Sequence, residues 1–129
     1  MLQFIYIGLG GFLGAGARYW LQVWCAQRWG AGFPYGTLAV NTIGCFAIGF
    51  LLTWIGQRLA VPPELRLFVV VGFLGGFTTF SSLAYETYRL AEQGSFTLAS
   101  ANLALNVVLG MAGVLIGVVL ARMLQVGGS

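Results

Sequence analysis

Gly72-Phe73-Leu74-Gly75-Gly76-Phe77-Thr78-Thr79-Phe80-Ser81 falls inside the third of four uncharged, apolar stretches in a chain of 129 residues. A bilayer core holds no water to satisfy stray N–H and C=O groups. A helix interrupted at membrane depth must therefore line a protected cavity or an ion path. Gly72, Gly75 and Gly76 weaken the helix here, while Thr78, Thr79, Ser81 and Ser82 can satisfy the backbone groups that a break frees. The half-helix before the break would end in exposed carbonyls, which suit a cation. The half after it would begin with N–H groups, which favour an anion. The stretch predicts a membrane protein whose chemistry, binding or moving a small ion, sits at the break.

The flanking sequence supports that class. Residues 1–17 precede Arg18, 29 residues separate Arg28 from Arg58, 19 separate Arg66 from Glu86, and 29 separate Glu92 from Arg122. Each run reaches or approaches the ~20 residues of a spanning helix. Six Arg and three Glu cannot clothe a soluble domain of this size. The reading is an all-α membrane protein, a single transmembrane domain over residues 1–129. Its helices are expected at about 3–27, 36–57, 65–90 and 96–124, with the third one broken. The start of the chain lacks a basic n-region and a small-residue cleavage site, so it is read as helix 1 itself.

Composition removes several functions. There is no His and no Asp, which excludes a catalytic triad or a His metal cluster, and no other constellation supports an enzyme. Cys25 and Cys45 lack paired-ligand spacing and read as small buried hydrophobes. The net charge of +3 comes from scattered Arg flanking membrane segments, a topological role that implies a lipid membrane as partner and no nucleic acid. Arg58, Arg66 and Arg122 fall on one side of the membrane, Arg28 and Arg89 on the other, with Arg18 nearer the second. That balance gives no firm orientation. It predicts dual topology, with chains inserted both ways and paired as an antiparallel homodimer.

Polar groups at membrane depth are costly and invite a role. Thr37 and Asn41 recur at helical spacing on helix 2, and Asn102 and Asn106 share a face of helix 4. An amide offers two N–H donors without a net charge, enough to replace an anion's water without trapping it. The plainer alternative is that these Asn bond helix to helix. Phe80 either fills space or presents the positive edge of its ring to a small anion. Arg18 either snorkels to an interface or draws anions into an aqueous vestibule, the reading favoured here. Glu86 sits where it can pair with an Arg, and Glu64 and Glu92 read as solvated. Gly8, Gly11 and Gly14, and likewise Gly110, Gly113 and Gly117, read as close helix packing.

At these residues the chain resembles the small bacterial fluoride channels, the Fluc or CrcB family. The likeness covers Gly11-Phe12-Leu13-Gly14-Ala15-Gly16-Ala17-Arg18-Tyr19, then Gly36-Thr37-Leu38-Ala39-Val40-Asn41-Thr42-Ile43-Gly44, then the broken stretch with Glu86 after it. The resemblance implies a dual-topology homodimer in the bacterial inner membrane, with two antiparallel pores that export toxic fluoride passively. It implies a structural sodium ion held by the main-chain carbonyls of Gly75 and Thr78 from both subunits. Phe80 and Asn41 would contact fluoride, Thr37, Asn102 and Asn106 would line a hydrogen-bonding track, and Thr79 and Ser81 would complete the pore set. Arg18 would sit near a vestibule. Two positions depart from the family: Leu83 replaces a second Phe of many relatives, and Gly110 replaces a Ser of several.

The rival reading is a small multidrug-type exporter, also of four helices and dual topology. That chemistry resembles proton-coupled exchange at a carboxylate deep in helix 1, where this chain has no Asp or Glu. A purely structural membrane subunit would need neither the break nor the Asn residues.

Overall fold

The computed structural model describes residues 1–58 and 60–128; Leu59 and Ser129, inside the expected domain, lie outside the described residues. Among the described residues the chain is helical with short connections. α1 is Leu2–Trp29, and it stops at Gly30, whose φ of +83° is a left-handed conformation that favours glycine. α2 is Tyr35–Gly56. α3 comprises Pro63–Arg66, a run of wider π-type turns at Leu67–Leu74 and a last turn at Gly75–Phe77. Pro63 opens it at a position where no N–H is needed. The widened run holds Val69, Val70, Val71 and Gly72, residue types that support a regular α-helix poorly. α4 is Phe80–Glu92, and α5 is Phe96–Val126.

The break in the third span is narrower than the sequence suggested. Gly72, Gly75 and Gly76 all stay helical, and only Thr78 (φ −86°, ψ 156°) and Thr79 (φ −152°, ψ 118°) are extended. The reason is packing. A Cβ at Gly72 would lie 2.6 Å from the Ile7 carbonyl oxygen, and one at Gly76 would lie 2.7 Å from that of Gly11. Gly10 and Gly14 answer from α1, against the backbone of Phe68 and Phe73. These glycines let α1 and α3 touch backbone to backbone rather than breaking the helix. Gly49, Gly113 and Gly117 do the same between α2 and α5.

Among the described residues, three helices are long and apolar enough to cross a membrane: Tyr35–Gly56, Pro63–Glu92 (α3 with α4) and Phe96–Val126. α1 has the length, at 28 residues, but its glycines, Gln3, Arg18 and Gln22 dilute its hydropathy. The outer surface is apolar, with Phe12, Met111 and Leu115 exposed, as expected of side chains that face lipid. Aromatic residues mark the two ends. Trp24, Trp29, Phe33 and Tyr35 cluster at one, where Arg28 stacks on Trp24, and Arg58 lies 4.2 Å over the Trp54 ring at the other.

Candidate ion path

Among the described residues, four polar side chains are almost fully enclosed: Thr37, Thr79, Asn102 and Asn106. Buried amides and hydroxyls are expensive unless bonded, and each of these four is bonded: Asn102 to Asn106, Thr79 to Asn41 and Ser82, and Thr37 to Gln22 and Glu86. Asn41, half-buried on α2, holds the break. Its Oδ1 accepts the Thr79 N–H at 2.8 Å, and its Nδ2 donates to the Thr79 carbonyl at 3.1 Å. The side chain thus does for Thr79 what a neighbouring backbone would do. The same Nδ2 donates to Asn106 Oδ1 at 2.9 Å. Asn106 Nδ2 in turn donates to the Asn102 carbonyl at 2.8 Å and to Asn102 Oδ1 at 3.2 Å. Asn102 Nδ2 donates to Thr87 Oγ1 at 3.0 Å.

This polar line begins at one opening, and its far end, Thr87, is the sequence neighbour of a residue that lines another. Next to Thr87 on α4 is Glu86, whose Oε1 accepts from the Thr37 hydroxyl at 2.9 Å; Thr37 Oγ1 accepts from Gln22 Nε2 at 3.1 Å. Gln22, Thr37 and Glu86 line a mouth cavity of about 270 Å³ together with Arg89 and Gln93. At the other end, Asn41, Thr79, Phe80 and Asn106 line an apolar groove of about 610 Å³ that opens on the flank of the chain. Gly75, Thr78 and Leu83 belong to the same groove.

Local sequence explains the start of α4. Thr79 caps it, its Oγ1 accepting the Ser82 N–H at 3.1 Å and donating to Ser82 Oγ at 3.1 Å, with Ser81 Oγ at 3.4 Å. Because the Thr79 N–H goes to Asn41, the Gly75 carbonyl four residues back loses its helical donor. The Thr78 hydroxyl folds back onto the Leu74 carbonyl at 3.0 Å, while its own carbonyl lies in the extended link. A Cβ at Gly75 would meet nothing within 4 Å, so that backbone faces open space.

Of the residues singled out from sequence, Thr37, Asn41, Thr79, Asn102 and Asn106 lie in or beside this line, and Ser81 touches it through Thr79. Phe80 is 77% exposed at the groove rim, while Leu83 behind it is buried. Arg18 lines neither of these two cavities. Glu86 accepts from Thr37 and keeps Oε2 buried without a hydrogen-bond partner, while Arg89, one helical turn on, acts on it electrostatically without a hydrogen bond. A Cβ at Gly110 would lie 3.3 Å from Cys45 Sγ, so a Ser there would be pressed against α2. Gln22 and Thr87 carry no site role in the sequence reading, and Arg89 figures there only by its side of the membrane. Gln22 carried a signal, a second polar residue one turn after Arg18 on an apolar helix.

Fold and site together describe a small helical membrane protein in which three Asn side chains run as a neutral hydrogen-bonded line from Thr79 to Thr87, beside a separate Gln22–Thr37–Glu86 set. Residues 5–118 match the family described as "CrcB-like protein, Camphor Resistance (CrcB)". The chain belongs to that family. It is 51% identical over 123 residues to a protein of Roseiflexus sp. named "Fluoride-specific ion channel FluC", covering 95% of this chain and 99% of that one. Proteins of the same name from Solibacter usitatus and Citrifermentans bemidjiense are 48% and 45% identical over 121 and 124 residues, covering 94% and 96% of this chain and 99% and 100% of theirs.

Proposed function

We propose that the chain is a fluoride-selective channel that exports fluoride passively across the bacterial inner membrane and so lowers its toxicity. The observation that carries this is the line of neutral amides from Thr79 to Thr87 in a member of a family whose relatives are named as fluoride channels. Asn41 and Asn106 already give their amide protons to protein acceptors, so an arriving anion exchanges with an internal partner. Such exchange binds weakly enough to let the ion leave again, as conduction requires. Phe80 offers its ring edge at the groove rim, where the electropositive hydrogens face a small anion. Thr37, with Thr79 and Ser81, adds hydroxyls near the two openings.

The groove also supports the assembly. A pore wall open on one flank is incomplete, and an antiparallel second copy would close it, with α1 acting as the fourth span of each protomer. Balanced Arg on the two sides favours this dual topology. The residues fit a structural sodium ion: the carbonyls of Gly75, released by Asn41, and of Thr78, in the extended link, supply neutral oxygens from each protomer. Such an ion would hold the dimer together by charge. Depleting sodium is expected to loosen the dimer in size-exclusion chromatography, and a dimer indifferent to sodium would refute the site.

The function is tested in liposomes loaded with fluoride and given valinomycin as a charge-balancing potassium path. Rapid efflux on a fluoride electrode, with chloride-loaded liposomes staying full, is the expected result. Equal rates for the two anions would refute selectivity.

A further inference from the structure

The mouth cavity holds a positive charge that the polar line does not use. Arg89 follows Glu86 by three residues on α4, so both side chains lie on one side of the helix, and both line the cavity. The Arg89 guanidinium makes no hydrogen bond or ion pair among the described residues, yet it acts electrostatically on the Glu86 carboxylate. Three other Arg are placed differently. Arg28 stacks on Trp24, Arg58 stacks on Trp54, and Arg18 lines none of the cavities described. The cavity has room for several waters at ~30 Å³ of liquid each, so a hydrated anion can enter it. Beyond Arg89 it meets Thr37, bonded to Glu86. Glu86 lines the same cavity, so its carboxylate stands beside the same approach. A negative mouth would repel the anion unless a nearby cation offsets it.

We infer that Arg89 is the steering residue of this mouth: its free guanidinium offsets Glu86 and gathers fluoride into the cavity ahead of Thr37. The inference rests on the conduction reading above. Clefts walled by low-dielectric groups focus the field of such a charge and raise the local concentration and on-rate of counter-ions by roughly 10 to 10³. The competing role for Arg89 is topological, as one of the Arg that anchor this end of the chain, and that role predicts no dependence of flux on salt.

The test uses the full chain in neutral-lipid liposomes, with fluoride efflux measured at a fixed fluoride gradient. Ionic strength is varied from ~0.01 M to ~1 M with a salt of impermeant anions, over which the Debye length falls from ~30 Å to ~3 Å. Arg89→Gln is expected to lower flux on the order of tenfold at low ionic strength, and the deficit should close as salt is raised. Arg89→Lys should keep most of the flux. Arg28→Gln, which removes the same charge from the same end outside the cavity, should behave as wild type. A loss in Arg89→Gln that ignores salt, no loss at all, or an equal loss in Arg28→Gln would overturn the inference. Should Arg89→Gln not yield a monodisperse protein, the wild type decides: its flux must fall as salt rises, and salt-indifferent flux overturns the steering role. A wild type that conducts no fluoride would instead overturn the conduction reading, and this inference with it.

Discussion

Replacing Asn41 by Ala should unfasten the break in the third span. Its amide accepts from the Thr79 N–H at 2.8 Å and donates to the Thr79 carbonyl at 3.1 Å and to Asn106 Oδ1 at 2.9 Å. Truncation leaves three groups without partners, on residues only 7% and 6% exposed. An orphaned buried donor or acceptor costs ~1–3 kcal/mol, and the adjoining groove admits some water, so the expected loss is about 3–4 kcal/mol in total. Unfolding in mixed micelles, followed by tryptophan fluorescence, measures that loss, and fluoride efflux from liposomes measures the functional consequence. Asn41→Asp separates the two roles. It keeps an acceptor for the Thr79 N–H but deletes both donations and places a negative charge in the path, so flux should vanish even where the fold survives. The reasoning fails if Asn41→Ala unfolds within ~0.5 kcal/mol of wild type and conducts normally, since a removed set of real hydrogen bonds cannot be that quiet.

Gly76→Ala should destabilise the fold by ~1–3 kcal/mol, because its Cβ would press on the α1 backbone at Gly11. Gly75→Ala meets open space and should leave the protomer as stable as wild type or slightly more so; the two are compared by thermal unfolding. Phe80→Ile keeps an apolar side chain of similar bulk but loses the ring edge, so flux should nearly disappear while the dimer persists on a sizing column; an active variant would make Phe80 packing only. Adding two or three Lys at the N-terminus should force a single orientation and lower activity, with recovery on co-expression of an oppositely biased chain. Full activity of the biased chain alone would exclude an antiparallel dimer.

Much of the fold is legible from local chemistry. Charge-free runs mark the apolar helices, Gly30 and Gly94 stand at positive φ where the chain turns, and Pro63 opens the third span. The break is legible only as a region. Glycines that weaken an isolated helix and glycines that admit a neighbouring backbone look alike in sequence, and only contact with α1 shows that Gly72 and Gly76 do the second. Long-range pairing is less legible still. Asn41 meets Thr79 across 38 residues and Asn106 across 65, so their chemical types are visible in advance but their partners are not. Arg18 attracts notice by its depth in helix 1, whereas Arg89 looks like a helix-end anchor until the cavity wall is traced.

The central claim is that fluoride crosses as a free anion, uncoupled from protons and rejecting chloride. The reversal potential in a planar bilayer tests it most directly. With fluoride, chloride and pH gradients imposed one at a time, the potential should shift by about 59 mV per tenfold fluoride ratio and ignore the other two. A reversal potential that follows pH or chloride would contradict the account.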